Sequence, residues 1–214
     1  MTRLHEEANV MGNKLEQNKQ QKKETLLNAA FRLFTTKGIN KTSISEIAEA
    51  SGIAKGTFYL YFTDKYDIRN KLIAHKSSQV FRKATAALEG TDICLLEDKI
   101  IFIADHILDQ LSENQALLNL INKNLSWGIF KNALIKGSDE DIDFRNVYQQ
   151  MIAESGNTIR DPEVMLFLIV ELVSSTCYSA ILYQEPVGLN ELKPHLFEAI
   201  RGIIAAHGRP LPAR

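Results

Sequence analysis

Three residues in the first third of the chain suit the surface of a helix that lies against DNA. At ~100° of rotation per residue, Lys55, Gly56 and Tyr59 fall within one arc of a helix. A lysine can donate hydrogen bonds to O6 and N7 of guanine, and a glycine lets a helix approach the floor of a groove closely. Phe58 and Phe62 are better suited to packing inside a domain. The stretch therefore predicts a DNA-reading surface backed by an aromatic core.

Two short helices are expected to position this surface. Ser43 and Glu46 have the N-cap to N3 spacing of a capping box, in which each side chain satisfies a backbone amide of the other residue. The helix that they begin is expected to end at Gly52, and the next helix is predicted over 54–61. Two short helices joined by a glycine-containing turn have the outline of a helix-turn-helix motif, here at about 43–62.

A longer helix is predicted on each side of the motif. Over 22–37 apolar side chains recur at the spacing of one helix face, and Gly38 follows a lysine, as is common where helices end. Asp64 is expected to cap a helix over 65–88. The sequence thus predicts a DNA-binding domain over 19–76.

The charge distribution separates this domain from the rest of the chain. Of the 214 residues, 45% are hydrophobic, and the formal net charge is -1. Residues 19–76 carry 11 Lys and Arg against 5 Asp and Glu, a net of +6, whereas residues 77–214 carry 12 against 18, a net of -6. Only the basic part is therefore expected to meet a polyanion.

The remainder of the chain predicts an all-α protein. Residues 1–18 are polar and without periodicity, and we interpret them as a flexible N-terminal arm. Few glycines and prolines interrupt 77–214, and no strand pattern is evident there. Further helices are predicted over 95–111, 115–131, 139–154, 162–184 and 189–207. The expected fold has an N-terminal three-helix helix-turn-helix domain and a larger C-terminal helical domain.

The segment 162–184 is apolar enough to raise the question of a membrane span. Its residues 164–170 are seven consecutive apolar side chains. Glu171 lies at its middle, where a carboxylate would be costly in lipid. A helix that is apolar on nearly all sides is equally suited to burial between other protein helices, and we favour that interpretation over a membrane span.

Two sequence patterns in the basic domain are specific when taken together. Residues 55–62 read Lys-Gly-Thr-Phe-Tyr-x-Tyr-Phe and are followed by Lys65, and residues 30–38 read Ala-x-x-Leu-Phe-x-x-x-Gly. The combination resembles the DNA-binding domain of the tetracycline-repressor (TetR) family of bacterial transcriptional regulators. The resemblance covers about 22–76, and no ligand-specific motif is evident beyond it.

The resemblance implies a role for each matching position. Ser45, Lys55 and Gly56 correspond to positions that face bases. Phosphate contacts are implied for Thr42, Thr57, Tyr59, Tyr61 and Lys65. Lys65 is at the start of a predicted helix, where the positive end of the helix dipole adds to its charge.

The resemblance further implies that the C-terminal domain dimerises and binds a ligand. A homodimer formed through 162–184 and 189–207 would present two recognition helices to a palindromic operator in double-stranded DNA. An organic or amphipathic effector, held between the middle helices, would release a repressor from the operator; activation stays open. Candidate lining residues, for which an ordinary place in the core is the alternative, are Phe102, His106, Trp127, Phe130, Tyr148, Phe167 and Tyr178.

Other classes of function are less well supported by the sequence. It has no Gly-rich phosphate loop, no His-Glu-x-x-His and no Gly-x-Ser-x-Gly, so neither an enzyme nor a cofactor or metal is expected. Cys94 and Cys177 match no metal or redox spacing and indicate a reducing cytoplasm. The alternative that stays open is a helical interaction protein, or an enzyme, with a vestigial DNA-binding domain.

Overall fold

The computed structural model describes residues 2–124, 144–156 and 158–208. Within these ranges the regular structure is helical and no strand is present, which confirms the predicted all-α class. The chain divides after Leu72 into two compact units, and the division falls inside one helix. The predicted boundary at residue 76 falls in the same helix.

The first unit contains the predicted helix-turn-helix with a helix before and after it. Its helices are α1 (Thr2–Thr36), α2 (Ile44–Ser51), α3 (Lys55–Phe58) and the first turns of α4 (Lys65–Glu89). α2 packs against both α1 and α3. The core of the first unit consists of side chains that are almost completely buried: Leu26, Ala30, Ile47, Phe58, Phe62, Ile68 and Leu72.

The first helix is longer than the sequence predicts. It begins at Thr2, where a flexible arm was expected to extend to residue 18. Residues 14–19 are all exposed, so this part of the helix has no apolar face from which a period could be detected. Its lysine, glutamate and glutamine residues nevertheless favour a helix, and Lys19 pairs with Glu16 at 3.4 Å.

The second unit is built from the rest of α4 and five helices in the described ranges. These are α5 (Leu96–Glu113), α6 (Gln115–Asn124), α7 (Phe144–Glu154), α8 (Pro162–Leu182) and α9 (Leu189–His207). They match the predicted helices, although parts of the spans 115–131 and 139–154 lie outside the described residues. α9 packs along α8 and α5, and α6 also contacts α5 and α8.

The apolar helix α8 is buried on one side only. Met165, Ile169, Cys177 and Ala180 are buried in the core. The opposite side exposes apolar side chains, of which Leu168 is 41% exposed. By length and composition α8 could cross a membrane, although a single such helix is weak evidence for one. Among the described residues, the expected cover of this helix is therefore present on one side only.

Candidate nucleic-acid interface

The predicted capping box fixes the start of α2. The Oγ of Ser43 accepts a hydrogen bond from the Glu46 amide at 3.2 Å, and Oε2 of Glu46 accepts one from the Ser43 amide at 2.8 Å. Oε1 of Glu46 also pairs with the ammonium group of Lys37. The hydrogen bonds from Lys37 and Ser43 lower the pKa of Glu46 to about 2. These contacts tie the end of α1 to the first turn of α2.

A residue with a left-handed backbone conformation forms the turn between α2 and α3. Gly52 has φ 68° and ψ 19°, and its amide donates to the Glu49 carbonyl at 3.0 Å. The amide of Ile53 then donates to the Ala48 carbonyl at 3.0 Å, which completes a Schellman-type end of α2. Arg32 on α1 donates to the carbonyl of Ala50 at 3.2 Å. Backbone hydrogen bonds and a side-chain contact from α1 therefore both hold the turn in place.

The third helix is shorter than predicted. It spans Lys55–Phe58, and the chain continues through tighter turns to residue 61, where the helix was expected to end. The amides of Leu60 and Tyr61 bond to carbonyls three residues earlier, at 3.1 and 3.0 Å. Phe58 and Phe62 are almost fully buried, with ring centroids 5.5 Å apart. The two phenylalanines thus anchor the segment, as the sequence indicated.

The residues predicted to read bases lie on an exposed surface. Ser45, Lys55 and Gly56 are exposed, and Tyr59 is 52% exposed. A Cβ added to Gly56 would meet no atom within 4 Å apart from those of its chain neighbours and the nearby backbone of its own helix. The absence of a side chain at this position is therefore not required by packing inside the domain, and it leaves room for an external partner.

The predicted phosphate-binding residues are more varied in their surroundings. Thr57, Tyr61 and Lys65 are half-buried, and Nζ of Lys65 donates to the Asn40 carbonyl at 3.4 Å. Thr42 is buried, and its hydroxyl donates to the Gly38 carbonyl at 2.8 Å. That bond does not favour a phosphate contact by the Thr42 hydroxyl, and it instead stabilises the turn before α2.

Two further residues near Lys65, Tyr66 and Arg69, were not predicted from the sequence motif. Tyr66 is 51% exposed, and the guanidinium carbon of Arg69 lies 5.3 Å from the centroid of its ring. Nζ of Lys65 lies 5.7 Å from the same ring. An aromatic residue followed three residues later by an arginine, which places both on one helix face, is the sequence signal that could have identified them.

A separate cavity lies within the second unit. Its volume is about 160 Å³, and the described residues that line it are uncharged and mostly aliphatic. Of the predicted ligand-binding residues, Tyr148 lines it, while Phe102, His106, Phe167 and Tyr178 do not. The ring of Phe102 stacks on that of His106, with centroids 6.1 Å apart. Trp127 and Phe130 lie outside the described residues.

Metal-binding chemistry finds no support in the described part of the chain. No group of three or more His, Cys, Asp or Glu side chains is close enough there to hold an ion. Cys94 is exposed, whereas burial raises the pKa of the Cys177 thiol to about 11. Cys177 therefore behaves as an apolar core residue.

The fold and the exposed surface together define a helix-turn-helix protein with a separate helical domain. Residues 26–72 match the family model of bacterial regulatory proteins of the tetR family. These residues, which include the helix-turn-helix, are therefore of the tetR-family type.

Individual relatives are similar over different parts of the chain. The HTH-type transcriptional regulator AcrR of Shigella flexneri is 29% identical over 98 residues, which are 44% of this chain and 46% of AcrR. The chain thus spans about half the length of this relative. The fatty acid metabolism regulator protein of Bacillus subtilis is 28% identical over 155 residues, 63% of this chain and 79% of that protein.

A solved structure shares the fold over both units. The crystal structure of the regulator FadR from Bacillus subtilis, in complex with stearoyl-CoA, has a TM-score of 0.60 and 19% identity. The structural similarity extends over 83% of this chain and 96% of the FadR chain.

Proposed function

We propose that this protein is a sequence-specific DNA-binding transcriptional regulator of the cytoplasm, which acts as a repressor. The observation that carries the proposal is the exposed surface of α3, with Lys55, Gly56 and Tyr59 outward and two phenylalanines buried behind it. The surrounding residues 19–76 have a net charge of +6, which suits a phosphate backbone.

The surface supports two kinds of DNA contact. Ser45, Lys55 and Gly56 are proposed to face base edges in the major groove. Thr57, Tyr59, Tyr61 and Lys65 are proposed to donate to phosphates and so fix the register of the protein on the duplex. Tyr66 and Arg69 extend the phosphate-binding surface along α4, because Arg69 keeps a cation beside an exposed aromatic ring.

A homodimer supplies the second recognition helix. The uncovered apolar side of α8 needs a partner of similar character, and a second copy of α8 and α9 is the proposed one. Dimerisation through 162–184 and 189–207 would place two α3 helices on half-sites of a palindrome, about 34–36 Å or a multiple apart.

The cavity of the second unit is the proposed effector site. Its uncharged lining supports a small organic or amphipathic molecule held by hydrophobic contact. The FadR structure contains an amphipathic ligand, stearoyl-CoA, which is much larger than this cavity. Residues Val80 and Phe81 of α4 line the cavity, and α4 begins at Lys65 of the DNA-binding surface. An effector would release the operator by its differential affinity for the two states of α4.

The test is a selection of bound duplexes from random DNA at near-physiological salt. The wild type is expected to enrich a palindrome, and the double variant Lys55→Ala/Tyr59→Ala is expected to enrich none. Lys83→Ala, which removes an exposed lysine of α4 in the second unit, is the matched control and is expected to behave as the wild type.

Binding to the selected palindrome is expected to weaken steeply as salt rises, because phosphate contacts release counterions. If the folded, effector-free dimer enriches no sequence, the proposed function is wrong.

A further inference from the structure

The cavity of the second unit is larger than the voids that are usual in a protein interior. Its volume is about 160 Å³, and described residues of α4, α5, α6, α7 and α8 line it. Close packing normally leaves few voids larger than a water molecule, because side chains lose contacts across empty space. A cavity of this size is therefore a place that an occupant would stabilise.

The wall of the cavity offers almost no polar atom to an occupant. The described lining residues carry no charge, and those with a hydroxyl or thiol group are Ser77, Tyr148, Ser174 and Cys177. The Oγ of Ser77 has less than 1 Å² of accessible surface. The hydroxyls of Tyr148 and Ser174 and the thiol of Cys177 donate to backbone carbonyls. Hydrogen bonding therefore contributes little to the recognition of an occupant.

Neither water nor an ion suits such a wall. A water molecule needs about two to four polar partners, and an engineered apolar cavity of about 150 Å³ stays dry and binds benzene. An ionised ligand would lose its hydration without compensation, and a hydroxyl group would lose hydrogen bonds to water that this wall does not replace. The chemistry that suits the wall is that of a neutral hydrocarbon, whose transfer from water into an apolar site is favourable.

We infer that the cavity binds a compact, uncharged hydrocarbon of single-ring size, such as an alkylbenzene, through shape and hydrophobic contact alone. The inference rests on the proposed function, because it names the ligand class of the proposed effector site. Size and the lack of polar groups then decide which molecules enter the cavity.

Calorimetric titration of the full chain without DNA tests the inference with three probes. Toluene and phenol have the same number of non-hydrogen atoms, and benzoate is charged. Toluene is expected to bind at least about fivefold more tightly than phenol, because burial of an unpaired hydroxyl is costly. Benzoate is expected not to bind. Equal binding of phenol and toluene, binding of benzoate, or no binding of toluene would each overturn the inference.

A change in the cavity wall shows whether toluene binds there. Ala104 on α5 is buried and lines the cavity. Ala104→Leu is expected to weaken toluene binding about tenfold or more, because the ligand would have to displace packed side chains. Ala86→Leu makes the same change at an exposed position of α4 and is the matched control. It is expected to bind toluene as the wild type does, and equal toluene affinity of all three proteins would contradict the inference.

Thermal unfolding gives a second readout and shows whether the variants fold. Toluene is expected to raise the unfolding midpoint of the wild type and of Ala86→Leu, since a ligand that binds only the folded state stabilises it. The midpoint of Ala104→Leu is expected not to respond to toluene. If Ala104→Leu does not fold, Val173→Leu makes a smaller addition to the same wall from α8 and is expected to weaken toluene binding less strongly. Unchanged toluene affinity in the wall variant that folds would overturn the inference. None of these measurements involves DNA, so their failure is distinct from a failure of the proposed DNA binding.

Discussion

Two glycines of the helix-turn-helix differ in backbone conformation, so a different property of glycine matters at each position. Gly52 has φ 68°, in a region that L-residues with a side chain rarely adopt. Gly56 is not in that region, and its surroundings within the chain are open. The first glycine is therefore required by its backbone conformation. The second is not required by packing within the domain, and we propose that it allows DNA to approach α3.

The same substitution, glycine to alanine, is therefore expected to affect the free energy of unfolding differently at the two positions. Gly52→Ala is expected to lower the free energy of unfolding by about 1–2 kcal/mol, because it places a Cβ in the left-handed region. Gly56→Ala is expected to leave that free energy unchanged or raise it, since alanine favours a helix, yet to weaken operator binding. Urea denaturation and DNA titration of both variants measure this. Equal destabilisation by the two substitutions would contradict the assignment of Gly56 to the DNA-reading surface.

At the scale of elements, the start of α2 depends on one carboxylate. Glu46 is bonded to Lys37 at the end of α1 and to the Ser43 amide at its own N-cap. Its pKa is lowered from 4.5 to about 2 by these partners. A carboxylate with a lowered pKa in the folded state stabilises the fold at neutral pH, and this stabilisation is lost on acidification.

Acid sensitivity of the first unit is expected to depend on this residue. The contribution of Glu46 is complete above the unfolded-state pKa of 4.5 and is lost as the pH falls towards about 2. Glu46→Gln is therefore expected to lower stability at neutral pH and to reduce the loss of stability on acidification. Urea denaturation at about pH 7, 5 and 3.5 measures the difference. Glu49→Gln, an exposed change on the same helix, is the control, and an identical pH dependence for both variants would contradict the prediction.

At the scale of the whole molecule, α8 presents apolar surface that the described part of the chain does not cover. Val164 and Leu168 are 50% and 41% exposed and lie four residues apart, on one side of the helix. α9 and the core cover the other side of α8. Exposed apolar surface of this kind is typical of a protein interface.

The proposed homodimer is expected to be sensitive to charge on that side. Leu168→Glu would place a carboxylate from each copy in an apolar interface, so the dimer is expected to dissociate and operator binding to be lost. Sedimentation velocity measures the change of mass. Leu95→Glu, at a position that is 59% exposed at the start of α5, is the control and is expected to remain dimeric. A dimeric Leu168→Glu variant would exclude this side of α8 as the interface.

The helix-turn-helix could be predicted from the sequence because its signals are local. The capping box joins Ser43 to Glu46, and the turn requires a positive φ only at Gly52, so neither depends on distant residues. The periods that predicted the other helices are also local. The helix before residue 22 was missed because an exposed segment of good helix formers has no apolar period.

The tertiary structure decided the properties that depend on residues far apart in sequence. It directed the Thr42 hydroxyl towards the Gly38 carbonyl, left one side of α8 uncovered by the described residues, and brought α4 and α7 together around one cavity. The sequence determined the class of protein and the surface proposed to read DNA, because helix propensity, caps and periodicity act over a few residues. Which side chains surround a cavity follows from the packing of whole helices, which no local pattern specifies.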